Sequence, residues 1–485
     1  MTTALAAPLD LKAWFAENVR GLVQVNPVST SSQPVHALGS FVAKVTEIGG
    51  PPRRLPDIAN LTARKEGLWA VSDVDVRALS KLSLPDSDSE LDQLRHALAG
   101  LLAADRAVYK SPFSFQLAHV GLANRDLTDG GLSDLSVGLL LSADDGPERL
   151  TRMVDRLFER QRNPHWAISS LLVPTEREHV TVADPRPAPA WTTTPGCETF
   201  ATDCRTLLAR AVDLVSGGHD TLLGLRVLAT TVTWLGLAVY AQVPSLTTAG
   251  ALSLMVIEAG EPGQLPGLRD ASAASRRALN GVWDNWLAAL LTKTVEDRFG
   301  GNAPQDAAMR RFLRDCQPYA ISGGSSFKEA QIDGIYKTWR SNHDTFDAAG
   351  QTLRDVLSAS MGNKPQRWFD AVGRHSGFVG PRRGHPPRFR AEVSLLPTLV
   401  LAGLSDDDPP AIPMSVWLDR LVKRFGLVFG PDAQARTMPD RAPEEDLVRN
   451  RDLLSSLMAA VGLARRYNDG VTEVLNIGQI WRRQQ

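Results

Sequence analysis

The residues whose types and spacing could do chemistry are few. Glu176 and Glu178 precede His179. Such a group could hold a divalent cation for nuclease chemistry, yet a hard cation needs more oxygen ligands than the surrounding sequence offers. Asp406, Asp407 and Asp408 stand before Pro409 and Pro410, and three acids in a turn between helices read as a solvated turn, not a metal site. His219-Asp220 and His343-Asp344 are adjacent pairs; sequence neighbours point in different directions from a helix, so they read as surface or capping residues. SGGSSFKEA at 322–330 lacks the GxxxxGK[ST] spacing that wraps a phosphate and reads as a loop before a helix. GxSxG, HExxH and a GxGxxG placed after a strand are missing. Cys197, Cys204 and Cys316 fit neither a disulfide framework nor a four-ligand zinc pattern, and no activating histidine lies nearby in sequence. The expectation is therefore no catalytic residue, no metal and no cofactor. A metal-dependent nuclease with its site in residues 60–190 is the enzymatic alternative.

One chemistry is concentrated, and it is cationic. Lys364, Arg367, Arg374, Arg382, Arg383, Arg388 and Arg390 face a single acid, Asp370, between residues 364 and 390, with His375 and His385 beside them. Arginines at this density can follow a phosphate backbone while Trp368, Phe369, Phe378 and Phe389 stack on bases. The alternative is a solvated linker whose aromatics anchor it to neighbouring cores. PRRGHPPRFR (381–390) holds three prolines and a glycine and is expected to be an extended arm. The whole chain has 53 basic and 54 acidic residues, for a net charge of −1, so any attraction to a polyanion must be local.

The elements that must position these residues fall into three regions. A chain of 485 residues exceeds one compact core on the usual scale of about 150 residues per domain. Residues 1–190 read as an α+β region. Short apolar or alternating runs at Leu68–Val71, Leu135–Leu141, Ala167–Val173 and His179–Val182 suit strands, while Leu91–Ala104 and Pro147–Arg160 have helical spacing. PRPAPAWTTTPG at 185–196 cannot sustain a helix or a central strand and marks a boundary.

Residues 196–361 read as an α-helical domain. Apolar residues recur at three and four over Cys204–Val215, Leu222–Tyr240, Ala249–Glu258, Leu268–Phe299 and Phe327–Ser360, with Pro244 and two glycine-bearing loops as breaks. The longest uncharged apolar run, Val227–Val243, is short for a membrane span and is expected to be a core helix, with no membrane association. The first residues lack the basic segment of a signal peptide. Together with the few cysteines, this suggests a cytoplasmic home.

Residues 362–485 combine the basic arm with three glycine-terminated helices, near Ser394–Ala402, from Pro413 with Trp417, Leu421 and Phe425 on one side, and from Pro443 with Leu447, Leu454, Leu457, Met458 and Val461 inward. Glu444, Glu445 and Asp446 suit the positive end of the third helix. Asn468-Asp469-Gly470 between LARRY and VTEVL suits a tight hairpin. Three helices and a hairpin are the order of a winged helix, which places the hairpin and its Arg465 and Arg466 along DNA phosphates. The acidic start of the third helix opposes that use, and a winged helix that docks on protein is the alternative.

GPRRG, KRFGLVFGP (423–431) and GLARRYNDGVTEV (462–474) resemble uncharacterised accessory proteins of bacterial anti-phage defence operons, the multi-gene kind built around DNA modification and a motor ATPase. The resemblance covers about a quarter of the chain and brings no catalytic motif. It implies a subunit working beside other proteins of one operon. The expectation is a non-catalytic subunit that meets double-stranded DNA through Arg374, Arg382, Arg383, Arg388, Arg390, Arg465 and Arg466. A protein-only scaffold or adaptor is the competing reading.

Overall fold

The longest apolar run is also the axis of the fold. The computed structural model describes residues 9–27, 32–48, 64–65, 68–69, 129–159, 177–217, 220–259, 265–300, 306–317, 329–341, 345–362, 364–381, 386–431, 442–468 and 470–483. Helix accounts for 70% of the described residues, so the chain is mainly α. The helices used below are α1 (Leu11–Phe15), α2 (Pro34–Val45), α3 (Leu132–Leu141), α4 (Gly146–Phe158), α5 (Glu198–Gly217), α6 (Thr221–Ala249), α7 (Pro266–Phe299), α8 (Asp306–Asp315), α9 (Glu329–Ser341), α10 (Phe346–Met361), α11 (Lys364–His375), α12 (Leu396–Gly403), α13 (Met414–Phe425), α14 (Glu444–Ala460) and α15 (Ile477–Arg483).

The run lies inside α6, which is long and apolar enough to cross a membrane, and 83% of its most apolar window is buried within the protein. Asp220 caps its start by accepting from the Leu223 amide, and Gly250 at φ 65° ends it. The expected break at Pro244 does not occur: the helix runs through it, buried on both sides. Packing on α5, α7, α2 and α3 outweighs the cost of about 3 kcal/mol that an interior proline carries.

Burial on all sides also explains a second departure. The strand expected over Leu135–Leu141 is the helix α3, in which every residue except Asp134 is buried; a segment apolar all round has no helical stripe to read. The helix expected over Ala249–Glu258 is instead an irregular turn followed by β5 (Met255–Val256) and β6 (Glu258–Ala259). The single helix expected over Phe327–Ser360 is split into α9 and α10, with the Thr345 hydroxyl capping Ala348. In the N-terminal region β1 (Thr46–Ile48) pairs antiparallel with β4 (Val180–Val182), and β2 (Arg64–Lys65) with β3 (Leu68–Trp69). The expected helix at 91–104 and strand at 167–173 lie outside the described residues.

Three small sheets tie distant segments together. β10 (Leu427–Val428) joins β5 in parallel. β8 (Arg388–Ala391) lies between β6 and β7 (Val379–Gly380). β9 (Ala411–Pro413) completes the order β11-β12-β9 with β11 (Ala464–Arg466) and β12 (Thr472–Leu475), all antiparallel. One contiguous cluster of buried apolar side chains runs from Leu9 to Ile477. Trp191, within the proline-rich passage, belongs to it, its ring 5.6 Å from that of Phe200 on α5.

Candidate functional site

The basic stretch is folded into the protein. Lys364–His375 forms α11, whose apolar face buries Trp368, Phe369 and Val372. Its rings enter an aromatic cluster: Tyr240 of α6 stacks on Trp283 of α7 at 4.1 Å and lies 5.2 Å from Phe369. Phe378 sits 5.2 Å from Phe389, and Trp234 lies edge-on to Phe378 at 6.1 Å. Trp368, Phe369, Phe378 and Phe389 are all 0–1% exposed. They are anchors, and none presents a face on which a base could stack.

Of the described cations of this stretch, Arg388 and Arg390 meet carboxylates, whereas Arg367 is exposed. Arg388, expected on an extended arm, is in β8; it is 2% exposed and donates from Nε to Glu258 Oε2 at 2.6 Å. β6 runs parallel to β8 with Glu258 opposite Arg390, and its side chain meets that of Arg388 two residues along the same strand. A charge buried at this depth persists because its partner is buried with it. Arg390 lies 3.8 Å from Glu392. Asp370, the one acid of the stretch, receives two bonds from Arg276 of α7, at 2.9 and 3.1 Å, while that guanidinium covers the Phe369 ring at 4.5 Å. Arg374 is half-buried in the last turn of α11. Arg382 and Arg383 lie outside the described residues.

Arg465 and Arg466 are placed differently. Both are exposed on β11. Arg466 reaches back to the Ser456 hydroxyl of α14 at 2.6 Å, and Tyr467, 46% exposed, donates to Glu473 at 2.8 Å. That bond, then slight desolvation and the Glu473 charge, raises the Tyr467 phenol pKa against the opposing pull of Arg465. The structure thus separates the described arginines of the expected set. Arg388 is inside, Arg390 is beside Glu392, and Arg465 and Arg466 face solvent on a different element.

The chain matches no family model, no curated protein and no solved structure.

The module that carries the hairpin is fastened by polar contacts that sequence reading missed. Three arginines converge on the carbonyl end of α12. Arg210 of α5 donates to Leu401 O at 3.1 Å and to Leu404 O, Arg420 of α13 to Gly403 O at 3.3 Å, and Arg424 to Ala402 O at 3.2 Å and Leu404 O at 2.6 Å. The last carbonyls of a helix have no internal partners and carry partial negative charge, so cations settle there. The acids of the Asp406–Asp408 triplet serve this cap: Asp406 meets Arg210 at 2.9 Å, and Asp408 meets Arg420 at 2.5 and 2.9 Å. Burial works to raise the Asp408 pKa, but bonds from Arg420 and the Ser405 amide outweigh it and the carboxyl is held below its ordinary value. Arg424 is pushed down, first by burial and then by the neighbouring Arg210 and Arg420, with Asp203 opposing.

Helix α14 is held by Asn450, whose side chain donates to Ile257 O and Phe429 O and accepts from the Ala259 amide, at 2.8–2.9 Å. Leu447, Leu454 and Met458 are buried as expected, whereas Val461 is 39% exposed because α14 ends at Ala460 and the chain turns outward at Gly462.

Among the described residues no group of three or more His, Cys, Asp or Glu side chains could hold a metal ion. Glu178 is exposed, and Glu176, His219 and the His343-Asp344 pair lie outside the described residues, as does the glycine-rich loop at 322–328. The three cysteines are buried and unpaired. Burial pushes Cys197 up to about 11 and Cys316 up to about 12, with Cys204 also raised by burial, which keeps them as thiols and poor nucleophiles.

Proposed function

We propose that the protein is a non-catalytic adaptor of a multi-protein assembly, docking on a partner subunit through a winged-helix-like module at residues 396–475. Support for the module is its topology. α12, β9, α13, α14, β11 and β12 follow in that order, and the strands pair as β11-β12-β9 with every neighbour antiparallel. The module departs from the simplest winged helix between α13 and α14, where β10 leaves to pair with β5.

The observation that carries protein docking is the surface this module offers. Glu444, Glu445 and Asp452 are exposed along α14, and acids at a groove-reading helix oppose the release of counterions that drives phosphate binding. Beyond them Val461, Tyr467 and Val471 are 39–48% exposed around the hairpin. An aromatic and two aliphatic side chains within a polar rim are the composition of a protein contact. The operon resemblance supplies the candidate partners, the products of neighbouring genes.

Co-expression with those products tests the reading. Wild-type chain retains a partner, and Tyr467→Asp with Val471→Asp loses it while keeping the far-ultraviolet spectrum of the wild type. Equal retention by the variant would overturn it. A second reading, contact with double-stranded DNA, is favoured among the described residues of the expected set by the exposed Arg465 and Arg466. It requires retention of duplex DNA at low salt that weakens steeply as salt rises.

A further inference from the structure

A groove with a cavity volume of about 880 Å³ opens between α5, the end of α6, α7 and the last turn of α13. Its size falls within the range of roughly 300–1,000 Å³ found for small-molecule sites. The floor is one face of α7, where Ala271, Ala274, Ser275, Ala278 and Val282 recur at helical spacing; these span roughly 16 Å at the helical rise. Leu252, Leu254 and Val422 form the walls. Short side chains on the floor leave the volume unfilled, and Ala278 itself is exposed.

Charge is confined to one end. Among the described residues, Asp203, Lys423 and Arg424 are the ionisable ones that line the groove. Lys423 is 56% exposed and tethered only to Asp419, a neighbour one turn back on the same surface helix. Arg424 belongs to the crowded trio that caps α12, and its positive charge is disfavoured first by burial and then by Arg210 and Arg420. Asp203 lies 3.4 Å from Arg424 Nε, and desolvation raises its pKa in spite of that neighbour. On the described lining Lys423 and Arg424 exceed Asp203 by one formal charge, Asp419 not being among the lining residues, so this end of an otherwise apolar groove is suited to a single negative group.

We propose that the groove binds an amphiphile with one anionic head and an unbranched apolar tail, of the long-chain carboxylate class, the head at Lys423 and Arg424 and the tail along α7. No assigned role of the chain requires such a ligand, and the site is separate from the hairpin.

Titration calorimetry with sodium dodecanoate, below its micelle concentration, tests the assignment on the full chain. Saturable binding at one site is expected. Ala278→Trp, which fills the floor from an exposed position, abolishes it. Lys423→Glu, or methyl dodecanoate in place of the acid, weakens it roughly tenfold, the scale of one charge-assisted bond. Asp203→Asn, which removes the competing carboxylate, tightens it. All variants keep the wild-type melting profile within a few degrees, and Ala274→Trp serves as a second filler should Ala278→Trp misfold. Absence of saturable binding, unchanged binding in both fillers, or an ester that binds as tightly as the acid overturns the proposal.

Discussion

Lys364–Ala391 and Ala464–Leu475 contain the same kinds of residue, arginine beside aromatic, and place them on opposite sides of the protein surface. In the first, Trp368, Phe369, Phe378 and Phe389 point inward and Arg388 meets Glu258 at 2.6 Å. In the second, Arg465, Arg466 and Tyr467 face solvent on a hairpin. The difference comes from what lies opposite. α11 and β8 pack onto α6 and α7, which supply Arg276 and the rings of Tyr240, Trp234 and Trp283, and β6 supplies a carboxylate. The hairpin is covered where α13, α14 and β9 pack on it. A cation's surroundings, not its density in sequence, decide whether it is a structural contact or a recognition group.

The largest effect separating the two regions is expected at Arg388. Arg388→Ala leaves the Glu258 carboxylate buried without its main partner, and removing one member of such a pair costs about 3–5 kcal/mol. Urea denaturation should show that loss. Arg388→Met combined with Glu258→Leu should recover most of it, since two apolar groups need no mutual compensation. Full stability in Arg388→Ala would mean that the residue is solvated after all, and the contrast with the hairpin would fail.

Asn450 comes next. Its side chain joins α14 to the strand connections at Ile257, Ala259 and Phe429. Asn450→Ala strands one amide and two carbonyls in the interior, at a cost of about 2–3 kcal/mol, again read by urea denaturation. Because α14 frames the hairpin, this variant should also weaken partner retention, although Asn450 is buried and cannot touch the partner.

The Asp408 carboxylate gives a smaller and pH-dependent effect. Its folded pKa is below the ordinary 3.8, so the ionised form is favoured by folding. The stabilisation is complete above the unfolded value and is lost as pH falls from there through the folded value. Asp408→Asn should therefore lower the melting temperature at pH 7, and the gap should close as pH falls below the ordinary carboxyl value and the native carboxyl takes up its proton. Asp203, raised chiefly by burial, has the opposite sign: its ionisation costs stability as pH rises above the ordinary carboxyl value.

The helices of the C-terminal region and their glycine ends were legible, because stop signals and a stripe such as Trp417, Leu421 and Phe425 are local. The hairpin was legible for the same reason, from Asn468-Asp469-Gly470. α3 was not, since burial from all sides erases the amphipathic period that separates helix from strand, and neither was the passage after α6, whose β5 and β6 pair with β10 and β8 far along the chain. The partners of Arg388 and of the α12 cap were invisible, because Glu258 lies 130 residues away and Arg210 meets Asp406 across 196. The groove over α7 is built by four elements, and an alanine stripe read alone announces only a helix that others approach closely.

The smallest effect on stability, and the one that bears most on function, is expected at Arg465 and Arg466. Both are exposed, so replacing them with alanine should change unfolding free energy by no more than about 0.5 kcal/mol. If docking is made by the apolar tip, the double replacement lowers partner retention less than Tyr467→Asp does, because rim charges contribute little beside a buried aromatic anchor. The same protein passed over duplex DNA at low salt sharpens the contrast. Should the wild type be retained and the arginine variant lose roughly two units of the salt dependence, one for each phosphate contact removed, then the hairpin is reading a polyanion. In that event Arg388→Met with Glu258→Leu, which alters only an interior pair, should leave DNA retention untouched, and the division between the inward and outward arginines would stand on a binding measurement as well as on burial.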